Sequence, residues 1–427
     1  MTKKIAFIGA GSYGFTYKLV CDILYKPALK DSEFAFMDVD DTRLKNLKTV
    51  MDEYFSLTGY KGKAEYTKDM RAALTNADFV INVVKIGFLE ASILDMEIPK
   101  KYGLKQTIGD TSSVAGVFRG LRTMIFNKTL LKTIEEVSNP GAIVINYTNP
   151  QAMCVMAAEA MSKVPFIGLC HSVQGTTRLM AKVCNVPYES VSFEAAGINH
   201  MNWILKFEAD GKDLYPIYKQ QVGDIEPTRV DLMRKFGYMV TESSTHLPEY
   251  VPYYLRNQEL IDKWNISIDQ FRNNIARKEE SYAKIVQSAK EHKLEVPEPS
   301  VEYGSSIIDS MVTNVPCTIY ANVVNHGLID NLPEYAGVEV LSVVDRNGVH
   351  PCHYGAIPHQ LAALNLCEIN VHKLAVEAVL QNSREPIYWA LMLDPLANSI
   401  MTPEQTIAMV DELCEAQIPY HGDYFKK

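Results

Sequence analysis

Lys4-Ile5-Ala6-Phe7-Ile8 runs directly into Gly9-Ala10-Gly11-Ser12-Tyr13-Gly14, and residues 17–24 continue with apolar side chains at helical spacing. A G-x-G-x-x-G between a strand and a helix is a phosphate-binding turn. Its first glycine permits the tight turn, its second lets backbone approach a pyrophosphate, and its third lets helix pack on strand. The helix N-terminus adds oriented N–H groups. The stretch predicts a dinucleotide site contacted by Gly9, Gly11, Ser12 and Gly14. The next apolar run, Glu33-Phe34-Ala35-Phe36-Met37, ends at Asp38, where a carboxylate accepts hydrogen bonds from an adenosine ribose. NAD is preferred over NADP, whose 2′-phosphate would meet that negative charge; Arg43, also assigned to the cofactor, is the one nearby residue that favours the reverse.

Outward from this turn, short apolar runs at 3–9, 33–38, 78–84, 142–147 and 165–169 alternate with helical patterns at 17–24, 42–55 and 118–137. That rhythm is the signature of βαβ units and a parallel sheet. After Gly197 it changes: longer charged helical stretches are expected at 227–240, 257–264 and 268–292, and a mixed β-rich region at 303–345. The fold class is α/β, a Rossmann-type doubly wound domain (1–195) followed by an α+β domain (196–427) for substrate, metal and oligomer contacts. The whole is expected to resemble a lactate or malate dehydrogenase.

The 427 residues exceed what one core usually covers, which agrees with two domains. A formal charge of −9 and no basic stripe argue against a nucleic-acid partner. The N-terminal apolar run stops at Gly9, too short for a signal segment or a membrane span, so a cytoplasmic protein away from membranes is expected. The 8 cysteines are scattered without close pairing, which points to reduced thiols.

One of these cysteines and one histidine bear on chemistry. Cys170 ends a buried-type strand, at the edge where open α/β sheets place ligands, and His200 follows a short β-like segment containing Gly197. Alone, each reads more readily as a core thiol or a satisfied polar group than as a metal ligand. Asn149, before Pro150, closes the run at 142–147, where its amide can reach both a nicotinamide and a substrate hydroxyl; a turn asparagine bonded to its own backbone is the competing reading.

Taken together, Ile8-Gly9-Ala10-Gly11-Ser12, Met37-Asp38, Gly109-Asp110-Thr111, Asn146-Tyr147-Thr148-Asn149-Pro150, Gly168-Leu169-Cys170-His171-Ser172-Val173-Gln174-Gly175, Gly197-Ile198-Asn199-His200 and Gly327-Leu328-Ile329-Asp330-Asn331-Leu332-Pro333 resemble the NAD- and manganese-dependent glycoside hydrolases of family four. The resemblance spans nearly the whole chain and is greatest to the bacterial α-galactosidases. It implies that Cys170 and His200 hold Mn2+ or another divalent metal, that Asn149, His171 and Asp110 contact the sugar, and that an α-galactoside is the substrate. Ordinary glycosidases use two carboxylates; the NAD-dependent group oxidises C3, removes the C2 proton, eliminates the aglycone, adds water and reduces C3 again. For the proton transfers the resemblance puts His246 at the place of a C2 base, with Tyr250 close behind, and His171 where other branches carry an acid for the leaving oxygen. It also implies a homodimer or homotetramer.

Two departures from the family pattern stand out, the first bearing on the substrate and the second on loop geometry. Ser92 stands near the place where the phospho-glycosidases carry a phosphate-gripping arginine, which favours a non-phosphorylated sugar. Asp110-Thr111-Ser112-Ser113-Val114-Ala115-Gly116 lacks several glycines of the family's run. A galacturonide, glucoside or glucuronide remains an alternative, and a carboxylated sugar would need an arginine such as Arg119 or Arg122. From other classes, a 2-hydroxyacid dehydrogenase and a non-catalytic NAD sensor share the cofactor turn. The first needs a histidine–carboxylate pair and an arginine clamp, which Cys170-His171 and Asn199-His200 do not supply.

Overall fold

The computed structural model describes residues 2–426. Six strands, β1 (Lys4–Ile8), β2 (Glu33–Met37), β3 (Ala64–Thr67), β4 (Phe79–Asn82), β5 (Ile143–Asn146) and β6 (Phe166–Leu169), pair in parallel in the order β3-β2-β1-β4-β5-β6. This is the dinucleotide-binding order, and its reversal beside β1 opens a crevice at the carboxyl ends of the strands. Alternation explains the two covered faces. Ile5, Phe7, Phe34 and Phe36 pack with Leu19, Val20 and Leu47 on one side, while Ala6, Ile8, Ala35 and Met37 pack with Leu130, Leu131 and Ile134 on the other. The short edge strand β3, half-buried throughout, has no apolar run to announce it.

The sheet does not stop at β6. Strands β7 (Val191–Ile198), β8 (Met201–Ala209), β9 (Lys212–Asp213), β10 (Met239–Val240), β11 (Cys317–Val324), β12 (Gly337–Asp345) and β13 (Gly348–Pro351) extend it in antiparallel fashion, to 13 strands in all. The join is β6 against β11, with Ala321 opposite Leu169 and Asn322 opposite Gly168. From there the order is β11-β12-β7-β8-β10. A buried amide web pins the carboxyl edge: Asn82 donates to Asn146 at 2.9 Å, Asn146 to Gln151 at 2.7 Å, and Gln151 to the Leu169 carbonyl at 3.0 Å. Gly168 is required here, because a Cβ would stand 2.4 Å from Gln151 Oε1.

The expected helices at 17–24, 42–55 and 118–137 are Phe15–Tyr25, Asp41–Thr58 and Ser113–Val137. The last begins earlier than its apolar pattern because tertiary bonds hold its first turn, including Ala115 N–H to Gln106 at 3.0 Å. The stretch 227–240 divides into a helix, Pro227–Phe236, and β10, with Gly237 at φ 96° ending the helix. The region 303–345 opens with a helix, Gly304–Thr313, before β11 and β12. Helix Gln270–Lys290 crosses back to the first half, where Tyr282, Val286 and Ala289 join the Ile5–Phe7 cluster. Helices His359–Gln381, Glu385–Leu393 and Pro403–Ala416 build a second core with Phe118 and Leu121. Among the described residues, no helix is long and apolar enough to cross a membrane.

Candidate active site

The glycine turn has the shape its sequence requires. Gly9 (φ 83°) and Ala10 donate to the Met37 carbonyl at 3.0 and 2.8 Å. A Cβ on Gly9 would press on Val84 at 2.8 Å. Gly11 N–H donates to Asp38 Oδ2 at 2.8 Å, and a Cβ on Gly11 would meet Arg43 Cβ at 2.6 Å and Asp38 at 2.8 Å. Ser12 Oγ caps the following helix by accepting from Thr16 N–H at 3.0 Å. Gly14 (φ 78°) precedes that helix and lies 3.4 Å, at its would-be Cβ, from Tyr282. Arg43 reaches the Gly11 carbonyl at 3.3 Å and stacks over Phe88 at 3.9 Å. A bare backbone cradle with Asp38 at its rim fits a dinucleotide.

Farther along the same carboxyl edge, Asp110, His200 and His246 each present a ligand atom within 4.8 Å of the others. His200 occupies a two-residue turn between β7 and β8 at φ 64°, an uncommon conformation for a residue with a side chain and one that clusters at functional sites. Its Nδ1 lies 3.0 Å from Tyr250 Oη and 3.0 Å from Glu242 Oε2. Burial opposes charge on this ring, but Glu242, Cys170 and Asp110 outweigh it and lift its pKa to about 9. His246 Nδ1 stands 3.3 Å from Glu242. Its Nε2, buried and without a hydrogen bond, has Glu249 at 3.3 Å and Asp110 at 3.5 Å. Burial again opposes charge, and Glu242, Glu249 and Asp110 again prevail, raising His246 well above the usual range. Conversely, burial would raise Asp110, yet His246, Arg119 and His200 hold it below the carboxylate range.

Cys170, at the end of β6, donates to Ser172 Oγ at 3.3 Å and lies near enough to His200 to help raise its pKa, beside the Asp110–His200–His246 cluster rather than within it. A thiol, two imidazoles and a carboxylate, one imidazole nitrogen orphaned, suit a divalent cation that tolerates nitrogen and sulfur donors. Asn149 Nδ2 donates to Asp110 Oδ2 at 3.2 Å, while the Asn149 carbonyl accepts from Arg119 Nε at 3.2 Å. Thus Asp110, Asn149, His200, His246 and Tyr250 are brought together, with Cys170 against His200. His171 is placed differently: its ring is 68% exposed and faces Glu302 at 3.5 Å. Ser92 donates to the Phe88 carbonyl within its own helix.

A profile described as family 4 glycosyl hydrolase matches residues 4–186, and its C-terminal-domain counterpart matches 195–397. An alpha-galactosidase of Bacillus subtilis (strain 168) is 39% identical over 99% of both chains. The chain belongs to glycoside hydrolase family 4. An alpha-galactosidase of Rhizobium meliloti (strain 1021) is 33% identical, covering 99% of this chain and 89% of its own. Among solved structures, a putative glucosidase from Bacillus subtilis aligns at TM-score 0.85 with 25% identity, over 96% of this chain and 99% of the other. A 6-phospho-alpha-glucosidase from gut microorganisms, in complex with NAD and Mn2+, aligns at 0.85 with 19% identity over 100% of each. The expected dehydrogenase likeness is present at the level of fold, with a Plasmodium falciparum malate dehydrogenase at TM-score 0.51, 15% identity, and 89% and 99% coverage.

Two members of this family 4 site escaped the sequence reading. Glu242 bridges both histidines, and Glu249 stands behind His246. Their spacing with His246, at i, i+4 and i+7, was the available signal. Arg122 is not available to a sugar: it is sealed in a bidentate pair with Asp95 at 2.6 and 2.9 Å.

Proposed function

We propose that this glycosidase hydrolyses α-galactosides with NAD and a divalent metal, Mn2+ by preference, as its cofactors. The observation that carries the reading is the Asp110–His200–His246 cluster, with Cys170 against His200, on the same sheet edge as the bare glycine cradle. The alpha-galactosidase relatives at 39% and 33% identity support the sugar, and the NAD- and Mn2+-bound neighbour supports the cofactors. When bound, NAD supplies a hydride acceptor and donor for the sugar's C3, and the metal supplies charge that stabilises developing oxyanions at C2 and C3.

Gly9, Gly11, Ser12, Gly14, Asp38 and Arg43 hold the dinucleotide, and Cys170 and His200 hold the metal. Asn149 and Asp110 orient the sugar hydroxyls, since their side chains already meet at 3.2 Å. His246 and Tyr250 handle the C2 proton, and His171, next in the chain to Cys170, delivers a proton to the leaving oxygen. Arg122 is spent on Asp95 and Arg119 faces Asp110 at 3.9 Å, so a C6 carboxylate would have to compete with Asp110 for Arg119. That favours a neutral galactoside over a galacturonide.

The test is a panel of nitrophenyl glycosides assayed with NAD, Mn2+ and reductant, each omitted in turn. Hydrolysis of the α-galactoside is expected to need all three and to leave no net NADH. Undiminished turnover after chelation and thiol oxidation removes Cys170 and His200 from the metal, and net NADH formation from a hydroxyacid returns the chain to the dehydrogenases.

A further inference from the structure

The loop that brings Asp110 into the cluster is held from both sides by buried carboxyl groups. On one side, Glu249 Oε1 receives the N–H groups of Thr107, Ile108 and Gly109 at 2.6, 2.7 and 3.1 Å. Successive N–H groups converging on one oxygen form an anion nest. It closes because Gly109 takes φ 62°, where a Cβ would also strike Met96 Sδ at 2.6 Å. On the other side, Ser112 Oγ donates to Glu368 Oε2 at 2.7 Å, and Ser113 Oγ donates to Asp394 Oδ1 at 2.9 Å.

Ser113 sits at φ 55°, in the left-handed region, where a side chain costs about 1–2 kcal/mol. Its hydroxyl, held by Asp394, fastens this strained corner. Asp394 is fixed in turn by Ala397 N–H at 2.7 Å, and Glu368 is rooted in helix His359–Gln381. The outer oxygens, Glu368 Oε1 and Asp394 Oδ2, have no partner. Burial lifts Asp394 to about 7, and burial with Asp394's repulsion lifts Glu368, so both can sit as neutral acids that accept a serine hydroxyl bond at low desolvation cost. Three wholly buried carboxyl groups are a poor way to gain stability, since apolar residues of similar volume usually serve as well. Their common feature is the loop they hold.

We infer that Glu368 and Asp394 are positioning residues, which, across the loop from the Glu249 nest, fix the Thr107–Ser113 loop so that Asp110 meets His246 and Asn149. The inference rests on the active-site reading above. It is tested on the full chain with the double variant Ser112→Ala/Ser113→Ala, and with the pairs Glu368→Gln against Glu368→Leu and Asp394→Asn against Asp394→Leu. The amides keep an acceptor for each serine and are expected to stay near wild type. The double alanine variant is expected to lose about 10- to 100-fold in kcat, the cost of a site displaced by an ångström or so, with KM moved little. Its Mn2+ affinity, measured by calorimetry without substrate, is expected to fall about tenfold or more, while NAD affinity is unchanged because the glycine turn is untouched.

A fall in either kcat or Mn2+ affinity with NAD binding intact upholds the inference. Wild-type values for both in the double alanine variant overturn it, as does an equal loss in the amide variants. If the leucine variants fail to fold, the alanine variant alone decides. A wild-type chain inactive on nitrophenyl α-galactosides overturns the functional reading instead, and the Mn2+ measurement still judges the loop.

Discussion

Gly11 is enclosed more tightly than a motif glycine needs to be, because the missing side chain would overlap Arg43 Cβ at 2.6 Å and the Asp38 carboxylate at 2.8 Å. Gly11→Ala must push both away, and with them the ribose-binding rim. NAD affinity is expected to fall about tenfold or more while the fold persists, since the strand and helix on either side keep their packing. Equilibrium dialysis with NAD checks it, and unchanged affinity moves the cofactor elsewhere. This turn was legible because its determinants are contiguous. Glu242 was not, for the opposite reason: its partners, His200 in a β-turn and His246 before a short 3-10 helix, come from separate elements. A carboxylate bridging two imidazoles orients both rings and raises their basicity. Glu242→Gln keeps the shape and removes the charge, so Mn2+ affinity is expected to drop about 10- to 100-fold, read by calorimetry on the purified chain.

At the scale of elements, β1, β2, β4, β5 and β6 were legible because strands covered on both faces are continuous apolar runs between turn residues. Edge strand β3, half-buried, and β10, two residues long, carry no such run. Nor could the sequence show that helix Gln270–Lys290 leaves the second half to cover the first, because its four buried residues, Phe271, Tyr282, Val286 and Ala289, look the same whichever sheet face receives them. Arg122 illustrates the same limit. Its charge suggested a substrate role, but it joins helix Ser113–Val137 to helix Phe88–Lys100 through Asp95, with both side chains 2% exposed, and Gln417 closes the pair from the C-terminal region. Arg122→Leu leaves Asp95 buried and unpaired, and a loss of about 3–5 kcal/mol is expected. Urea unfolding followed by far-ultraviolet dichroism measures it. A loss below about 1 kcal/mol would mean that water reaches the pair.

Over the whole molecule, the profiles divide the chain near residue 190, but the physical structure joins what they divide. One sheet runs from β3 to β10 across the β6–β11 pairing, and the apolar cluster around Ile5 and Phe7 is completed by Tyr282, Val286, Ile307 and Ile308 from beyond that point. Unfolding the second half alone would strip this cluster of its cover and expose an edge of β6. The two halves are therefore expected to melt in one transition. NAD bound to the first half must then stabilise both: at 100 times its dissociation constant, a ligand specific for the native state adds about 2.7 kcal/mol to the whole cooperative unit. Calorimetry with and without NAD separates the cases. A single endotherm that moves up by a few degrees as a unit upholds the coupling, and two endotherms of which NAD shifts only one would show that the shared sheet is not a thermodynamic link.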